Sequence, residues 1–353
     1  HEVELVGPVS GDADDFGTES KLIGLVRSAL PRFAYEIAEF AYCIVDFVKM
    51  VVAIRRFRPD VIYERFNLFL PSGIWAKRLF GLPLILEVNA PLLEERTKFG
   101  GRSLLRLGRW SQRYAWRNAN IVVTVTEVLK KIIVDYGVEP NRVDVMPNGV
   151  DQGDFGFSDE VRTSKRAALG LNDDLVIGFT GFVREWHRID HLVALLAEPE
   201  FSKGTLLIVG DGPAVDFLKT LARSAGVADR LIVTGIVPRS EVAAFVSCFD
   251  IAVQAHVVEY ASPLKVLEYL AMGRAIVAPR SDNICELLTD GSNALLFESG
   301  SKDSIRCALL RIVGNPELRR ALEVAAAKTI DDQQLTWRHN AERVVVRFNE
   351  LLS

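Results

Sequence analysis

The sequence predicts an α/β protein built from two doubly wound parallel-sheet domains in series. Three observations carry that expectation. The chain has 353 residues, too many for one ordinary core. Short β-branched runs recur along it with helical stretches between them, the alternation that produces parallel sheets covered by helices on both faces. A polar interval at 152–165 breaks the alternation, which then restarts.

The opening HEVELVGP alternates apolar and polar residues and is expected as a strand. AEFAYCIVDFVKMVVAI (38–54) is the most apolar long run. Glu39, Asp46 and Lys49 interrupt it within a span too short to cross a bilayer, so it is expected as a packed helix. Its basic end, Arg55, Arg56 and Arg58, would also suit peripheral contact with an anionic membrane face. DVIYERF (60–66), LPLILEVNA (82–90) and ANIVVTVT (119–126) are the further strands of the first half, and PNGVD (147–151) closes it.

The second half runs through LVIGFTG (175–181), TLLIVGDGP (205–213), RLIVTGIVP (230–238), FDIAVQ (249–254) and RAIVAPR (274–280). The first domain is expected over 1–155 and the second over 156–336. The last segment, 337–353, sets Val344, Val345, Phe348, Leu351 and Leu352 at helical spacing and is expected to pack back on the first domain. Strands of two such sheets end at a central cleft, where open α/β sheets take their ligands.

Composition narrows the partners. Hydrophobic residues make 49% and charged residues 25%, a globular rather than disordered balance. A net charge of -4 gives no general attraction for nucleic acid. Cys43, Cys248, Cys285 and Cys307 show no CxxC or Cys/His spacing, so neither a disulfide framework nor a zinc site is expected, and a reducing, cytoplasmic setting fits.

The most informative stretch is SPLKVLEYLAMG (262–273). Ser262 followed by Pro263 reads as a capping residue and a first-turn proline. Lys265 then falls where the helix macrodipole is already positive. A phosphate held at the helix N-terminus removes that conflict. Glu268 lies one turn on, while Leu264, Leu267, Leu270 and Ala271 make the apolar face; a solvated Lys265–Glu268 pair is the alternative reading. The turn after Gly181 adds Arg184, His187 and Arg188, three potential cations for two phosphates.

Taken in order, GFVREWHRIDHL, IVGDGP, VTGIVP, SPLKVLEYLAMGRAIVAP and ICELLTDGSNALLFESGS resemble the donor half of the retaining glycosyltransferases of family four, and YERFNLF, LEVNAPLLEE, VVTVTEVLKKII and VMPNGVDQGDF resemble the acceptor half. The resemblance covers nearly the whole chain. It implies the GT-B fold, two Rossmann-like domains, and retaining transfer of a sugar from a UDP- or GDP-linked donor to a hydroxyl acceptor (glycan, lipid-linked or small molecule), with neither metal nor further cofactor.

On that resemblance Gly181, Arg184, His187 and Lys265, with the helix start at Ser262, Pro263 and Leu264, hold the diphosphate. Glu268 takes the ribose hydroxyls, and Gly235 and Val237 meet the base. Asn89, Arg184 and Lys265 form the expected catalytic set. Asn89 stands beside the acceptor, where an amide can orient a hydroxyl but cannot act as a general base. Glu94 and Glu95 are acceptor-side candidates. Relatives carry another glutamate eight residues before Glu268; here that position is Tyr260, with Glu259 beside it, and both, with His256, are candidates near the sugar. Lysine is usual at His187, and the exchange suggests pH-sensitive binding. The resemblance also puts a strand, a Gly-rich loop and a helix ahead of HEVELVGP. A non-catalytic sugar-nucleotide binding or scaffold protein, or a nucleotide-sugar epimerase, remains an alternative.

Overall fold

The computed structural model describes residues 1–7, 32–100, 104–171 and 175–353. They divide into two compact units, His1–Met146 with Arg343–Ser353, and Pro147–Glu342.

The first unit holds α1 (Arg32–Phe57), β1 (Ile62–Arg65), α2 (Ser72–Phe80), β2 (Leu84–Val88), α3 (Leu92–Gly100), α4 (Leu105–Asn118), β3 (Ile121–Thr124), α5 (Glu127–Asp135) and β4 (Val143–Val145). Its strands pair in parallel in the order β1-β2-β3-β4. Ile121 to Thr124 are all buried, as expected of a strand covered on both faces. The opening segment departs from expectation: residues 1–6 form no strand, and Val3 and Leu5 are 78% and 92% exposed. Alternation alone does not make a strand, because the ladder bonds and the buried face supply its stability.

Helix α1 is amphipathic in a lopsided way. Cys43 and Ile54 are buried, Phe47 meets Trp75 of α2 edge-on at 5.8 Å, and Ser72 donates to the Asp46 carboxylate at 2.5 Å. Ile44, Val48 and Val52 lie exposed on the other side. Among the described residues no helix is long and apolar enough to cross a membrane.

The second unit contains α6 (Asp159–Ala168), β5 (Leu175–Thr180), α7 (Asp190–Leu195), β6 (Gly204–Val209), α8 (Val215–Ser224), β7 (Leu231–Val233), α9 (Arg239–Ser247), β8 (Ile251–Val253), α10 (Leu264–Ala271), β9 (Ala275–Pro279), α11 (Asp282–Cys285), β10 (Leu295–Phe297), α12 (Lys302–Val313) and α13 (Pro316–Asp332). The parallel order β10-β9-β8-β5-β6-β7 is doubly wound, with its switch point between β5 and β8. Alternate residues feed opposite layers. Ile177, Phe179, Ile208 and Val253 pack with Leu192, Leu218 and Leu309, whereas Val176, Leu207 and Ala252 pack with Phe245, Leu267 and Ile330. Strands β4 and β10, three residues each, fall outside the expected runs, because Asp144 interrupts the first and Leu295–Phe297 contains no β-branched residue.

The chain divides at Met146 and Pro147, ahead of the expected boundary at 155. Local bonds explain the shift: the Val150 N–H donates to the Leu335 carbonyl at 3.0 Å, and Phe155 is buried in the second unit's core. Helix α14 (Trp337–Leu352) ends the chain. Its Val344, Phe348 and Leu351 pack on Ile85, Ile121, Val123 and Met146 of the first unit, and Arg347 grips Asp144 with two bonds of 2.5 and 2.6 Å.

Candidate functional site

In the second unit, the site residues gather where β5 ends beside α10. The Tyr269 hydroxyl of α10 accepts the Thr180 backbone N–H at 2.9 Å and pairs with the Thr180 hydroxyl at 3.0 Å. That buried tie brings Lys265, one turn earlier, over the Phe179 ring at 3.9 Å. Gly181 sits at φ 117°, and a Cβ there would lie 3.2 Å from Lys265 Nζ. Glycine therefore serves both the backbone angle and the space for the ammonium. The loop after β6 completes the rim. The Val183 N–H donates to the Asp211 carbonyl at 2.8 Å, and Gly210, at φ 141°, lies so close that any Cβ would collide with the Gly181 carbonyl oxygen.

The start of α10 differs from the expected Ser-Pro cap. Pro263 is the N-cap, and no side chain caps the helix. Ser262 is buried, and its hydroxyl accepts the Asn148 N–H at 3.1 Å while its carbonyl accepts from Asn148 Nδ2 at 2.7 Å. Its cap function is thus given up to the PNGVD turn. The N–H groups of Leu264 and Lys265 are left for a ligand or water, while that of Val266 donates to the Pro263 carbonyl at 3.0 Å. Leu264 is 46% exposed, so it does not belong to the packed face with Leu267 and Leu270.

Electrostatics separate the expected cations. Lys265 is held in protein surroundings where burial pushes its pKa down to about 7, opposed in part by Glu268. Arg184 is exposed and lies over the Phe182 ring at 5.0 Å. His187 is buried between Phe179 and Trp186, with centroids at 5.2 and 3.8 Å. Burial first, then Lys265, His256 and Arg184, press its pKa down to about 3. The expected cationic histidine is therefore neutral. Its Nδ1 accepts the Arg184 N–H at 3.1 Å, which puts the ring proton on Nε2 as a donor. Arg188, at φ 56°, turns to Asp190 at 3.4 Å and to the His191 ring at 2.5 Å. Two cations, not four, remain for an anion at this rim: Lys265 and Arg184.

Glu268 is buried, and its partner is not Lys265. Arg239, at the start of α9, donates to Glu268 Oε1 at 2.5 Å and lies over the Phe155 ring at 4.8 Å. Gly235, at φ 73°, and half-buried Val237 form the turn leading into Arg239. Glu259 is exposed and Tyr260 half-buried in a turn stapled by Asn283, whose Nδ2 donates to the carbonyls of Val258 and Ala261 at 3.1 and 2.6 Å. His256 meets Trp186 edge-on at 5.9 Å. Arg239, Asn148, Asn283 and Gln254, whose Oε1 is buried without a hydrogen-bond partner, were not marked by the sequence. Only Asn148 stood in a quoted motif with a turn role.

In the first unit, Asn89 comes just after β2 and donates to Glu87 Oε1 at 2.6 Å, while its own Oδ1 is buried and unpartnered. Glu94 and Glu95 lie in the first turn of α3 rather than in a loop. Glu94 accepts from Gln112 at 3.0 Å and from the Tyr136 hydroxyl, so packing of α3 against α4 and α5 accounts for its carboxylate. Among the described residues no group of three or more His, Cys, Asp or Glu could hold a metal ion.

Two Rossmann-like parallel-sheet units, one doubly wound with a basic strand-end site, define the GT-B class. Solved structures agree at the level of fold. Anabaena Alr3699/HepE in complex with UDP superposes with a TM-score of 0.74 at 18% identity, covering 86% of this chain and 82% of that one. A sucrose-phosphate synthase from Thermosynechococcus elongatus gives 0.73 at 16% identity, covering 91% and 80%. Residues 161–329 match the family described as glycosyl transferases group 1, and residues 1–149 match the glycosyl transferase 4-like domain. The chain belongs to the group 1 glycosyltransferases. It is 25% identical over 317 residues to a 2-deoxystreptamine glucosyltransferase of Streptomyces kanamyceticus, covering 85% of this chain and 81% of that protein. A D-inositol 3-phosphate glycosyltransferase of Stackebrandtia nassauensis is 30% identical over 251 residues, 66% of this chain and 55% of its own length.

Proposed function

We propose that this glycosyltransferase moves a sugar from a ribonucleoside-diphosphate donor to a hydroxyl acceptor, with retention of anomeric configuration and without a metal ion. The uncapped amino end of α10, bordered by Lys265 and Arg184, carries the reading. A diphosphate placed there meets free N–H groups, two cations and the His187 Nε2–H, a donor set that stabilises charge as it develops on the leaving group. The UDP-bound state of Alr3699/HepE supports a nucleotide of this kind. Glu268 accepts the ribose hydroxyls, and the Gly235–Val237 turn meets the base.

In the transfer the bond between the anomeric carbon and the diphosphate oxygen breaks, and the acceptor oxygen bonds to the same face of that carbon. The acceptor's proton passes to the departing diphosphate. No protein nucleophile is needed on this route. A cytoplasmic enzyme working on a membrane-borne acceptor is favoured by α1, whose exposed Ile44, Val48 and Val52 lead to Arg55 and Arg56; co-sedimentation with phosphatidylglycerol vesicles, absent with phosphatidylcholine vesicles, is the expected result.

The test is incubation with UDP- and GDP-linked hexoses and hydroxyl acceptors, with the product anomer read by NMR. Retention that survives EDTA is expected. An inverted product, a requirement for metal, or release of an epimerised nucleotide sugar would contradict the proposal. Lys265→Ala is expected to weaken diphosphate binding about 10- to 100-fold, the worth of a hydrogen bond to a charged group.

A further inference from the structure

Glu268 poses a problem that the donor site alone does not solve. A carboxylate that is to take a ribose diol must be ionised, buried and fixed in rotation before the ligand arrives, and a buried charge without a partner is costly. Lys265, one turn earlier on α10, faces the Phe179 ring instead of closing an ion pair with it. The partner comes from another element. Arg239 comes directly after the Gly235–Pro238 turn, its guanidinium is braced on the buried Phe155 ring at 4.8 Å, and Nη1 donates to Glu268 Oε1 at 2.5 Å. The side chain of Arg239 is 62% exposed, whereas that of Glu268 is 7% exposed. The cation thus reaches in from the rim and holds one oxygen of an otherwise enclosed carboxylate.

We propose that Arg239 is a positioning residue for the donor ribose: it anchors Glu268 Oε1, so that Oε2 and the remaining Oε1 lone pair are presented to the 2′ and 3′ hydroxyls. The inference rests on the ribose role given to Glu268 above. The chemistry is that of a shared carboxylate. An ionised carboxyl group accepts at about four lone-pair sites, so one guanidinium bond leaves capacity for two hydroxyls. A guanidinium is also the cation best shaped to keep such a geometry while partly desolvated. Arg239 touches neither the phosphates nor the transferred sugar on this reading, and its effect should be confined to the ribose.

The experiment titrates the full chain with UDP and 2′-deoxy-UDP, with GDP and 2′-deoxy-GDP as a second pair, and with pyrophosphate. The base that binds more tightly supplies the ribo-to-deoxy ratio. The wild-type protein is expected to prefer the ribonucleotide by about 10- to 100-fold, as for a hydrogen bond to a charged acceptor. Arg239→Met, which keeps the aliphatic stem and removes the guanidinium, should lower that ratio to about 3-fold or less, leave pyrophosphate affinity within about 2-fold, and lower the melting temperature because Glu268 loses its partner; Arg239→Lys should restore part of the ratio. A merely structural arginine would not move the ratio while sparing pyrophosphate. Retention of the full ratio in Arg239→Met overturns the inference alone, as does a parallel loss of pyrophosphate affinity. No ribose preference in the wild-type protein overturns the ribose role of Glu268 and this inference with it. Should Arg239→Met fail to fold, Arg239→Gln and Arg239→Lys give the same comparison.

Discussion

Lys265 carries an ammonium whose ionisation depends on what binds beside it. Burial brings its pKa down to about 7, and a diphosphate against it would bring that value up again. This fixes the sign of the pH dependence. Below pH 7 the lysine is already charged and affinity is at its plateau; above it, binding must take up a proton, and affinity falls by about 10-fold per pH unit once the free lysine is neutral. Calorimetry in buffers of different ionisation enthalpy should show uptake of about one proton at pH 8, lost in Lys265→Met. His187 was expected to provide the pH sensitivity, but at a pKa of about 3 it holds one neutral state across that range. The spacing of Lys265 and Glu268 was legible because both lie on one helix. The neutrality of His187 was not, because it is enclosed by Phe179 of β5 and by Trp186 of the turn that follows, a packing that no period reveals. Arg239 was invisible for a related reason: it stands 29 residues from Glu268, with a strand and helix between them.

At the scale of elements, helix α10 is aimed by its two ends of contact. Tyr269 ties it to β5, and Asn148 ties its entry at Ser262, across 114 residues of sequence. Asn148→Ala removes the Nδ2 bond to the Ser262 carbonyl, keeps the backbone bond to the serine hydroxyl, and should cost about 1–3 kcal/mol in the second unit's stability, measured by denaturant unfolding. The Ser262 carbonyl would also become free near the first turn, so diphosphate affinity should fall as well. Among strands, those set in apolar, β-branched runs were legible, down to the three-residue β7 and β8. The three-residue β4 and β10 were not, and the HEVELVGP alternation misled because it finds no ladder among the described residues. The Ser-Pro pair located the helix start to within a residue or two, yet it said nothing of Asn148 competing for the serine.

On the scale of the molecule, each unit has its own sheet and its own apolar packing, with α14 completing the first through Val344, Phe348 and Leu351. Every donor-side residue lies in the second. Thermal unfolding monitored by calorimetry should therefore resolve two transitions, and a nucleoside diphosphate should raise that of the second unit alone, by about 2.7 kcal/mol when present at 100 times its Kd. A ligand that moved both transitions equally would place part of its site in the first unit. Doubly wound topology in the second unit was legible because its strands are regularly spaced. The boundary near residue 147 was blurred, since the polar interval that marks it in sequence belongs wholly to the second unit.

The most direct measurement is an amide-resolved NMR titration of the full chain with pyrophosphate. The backbone N–H signals of Leu264 and Lys265 should move together with that of Gly181, and saturate at the concentration that calorimetry gives for binding. If pyrophosphate binds while those three amides stay still, the anion is held elsewhere and the amino end of α10 is not its cradle.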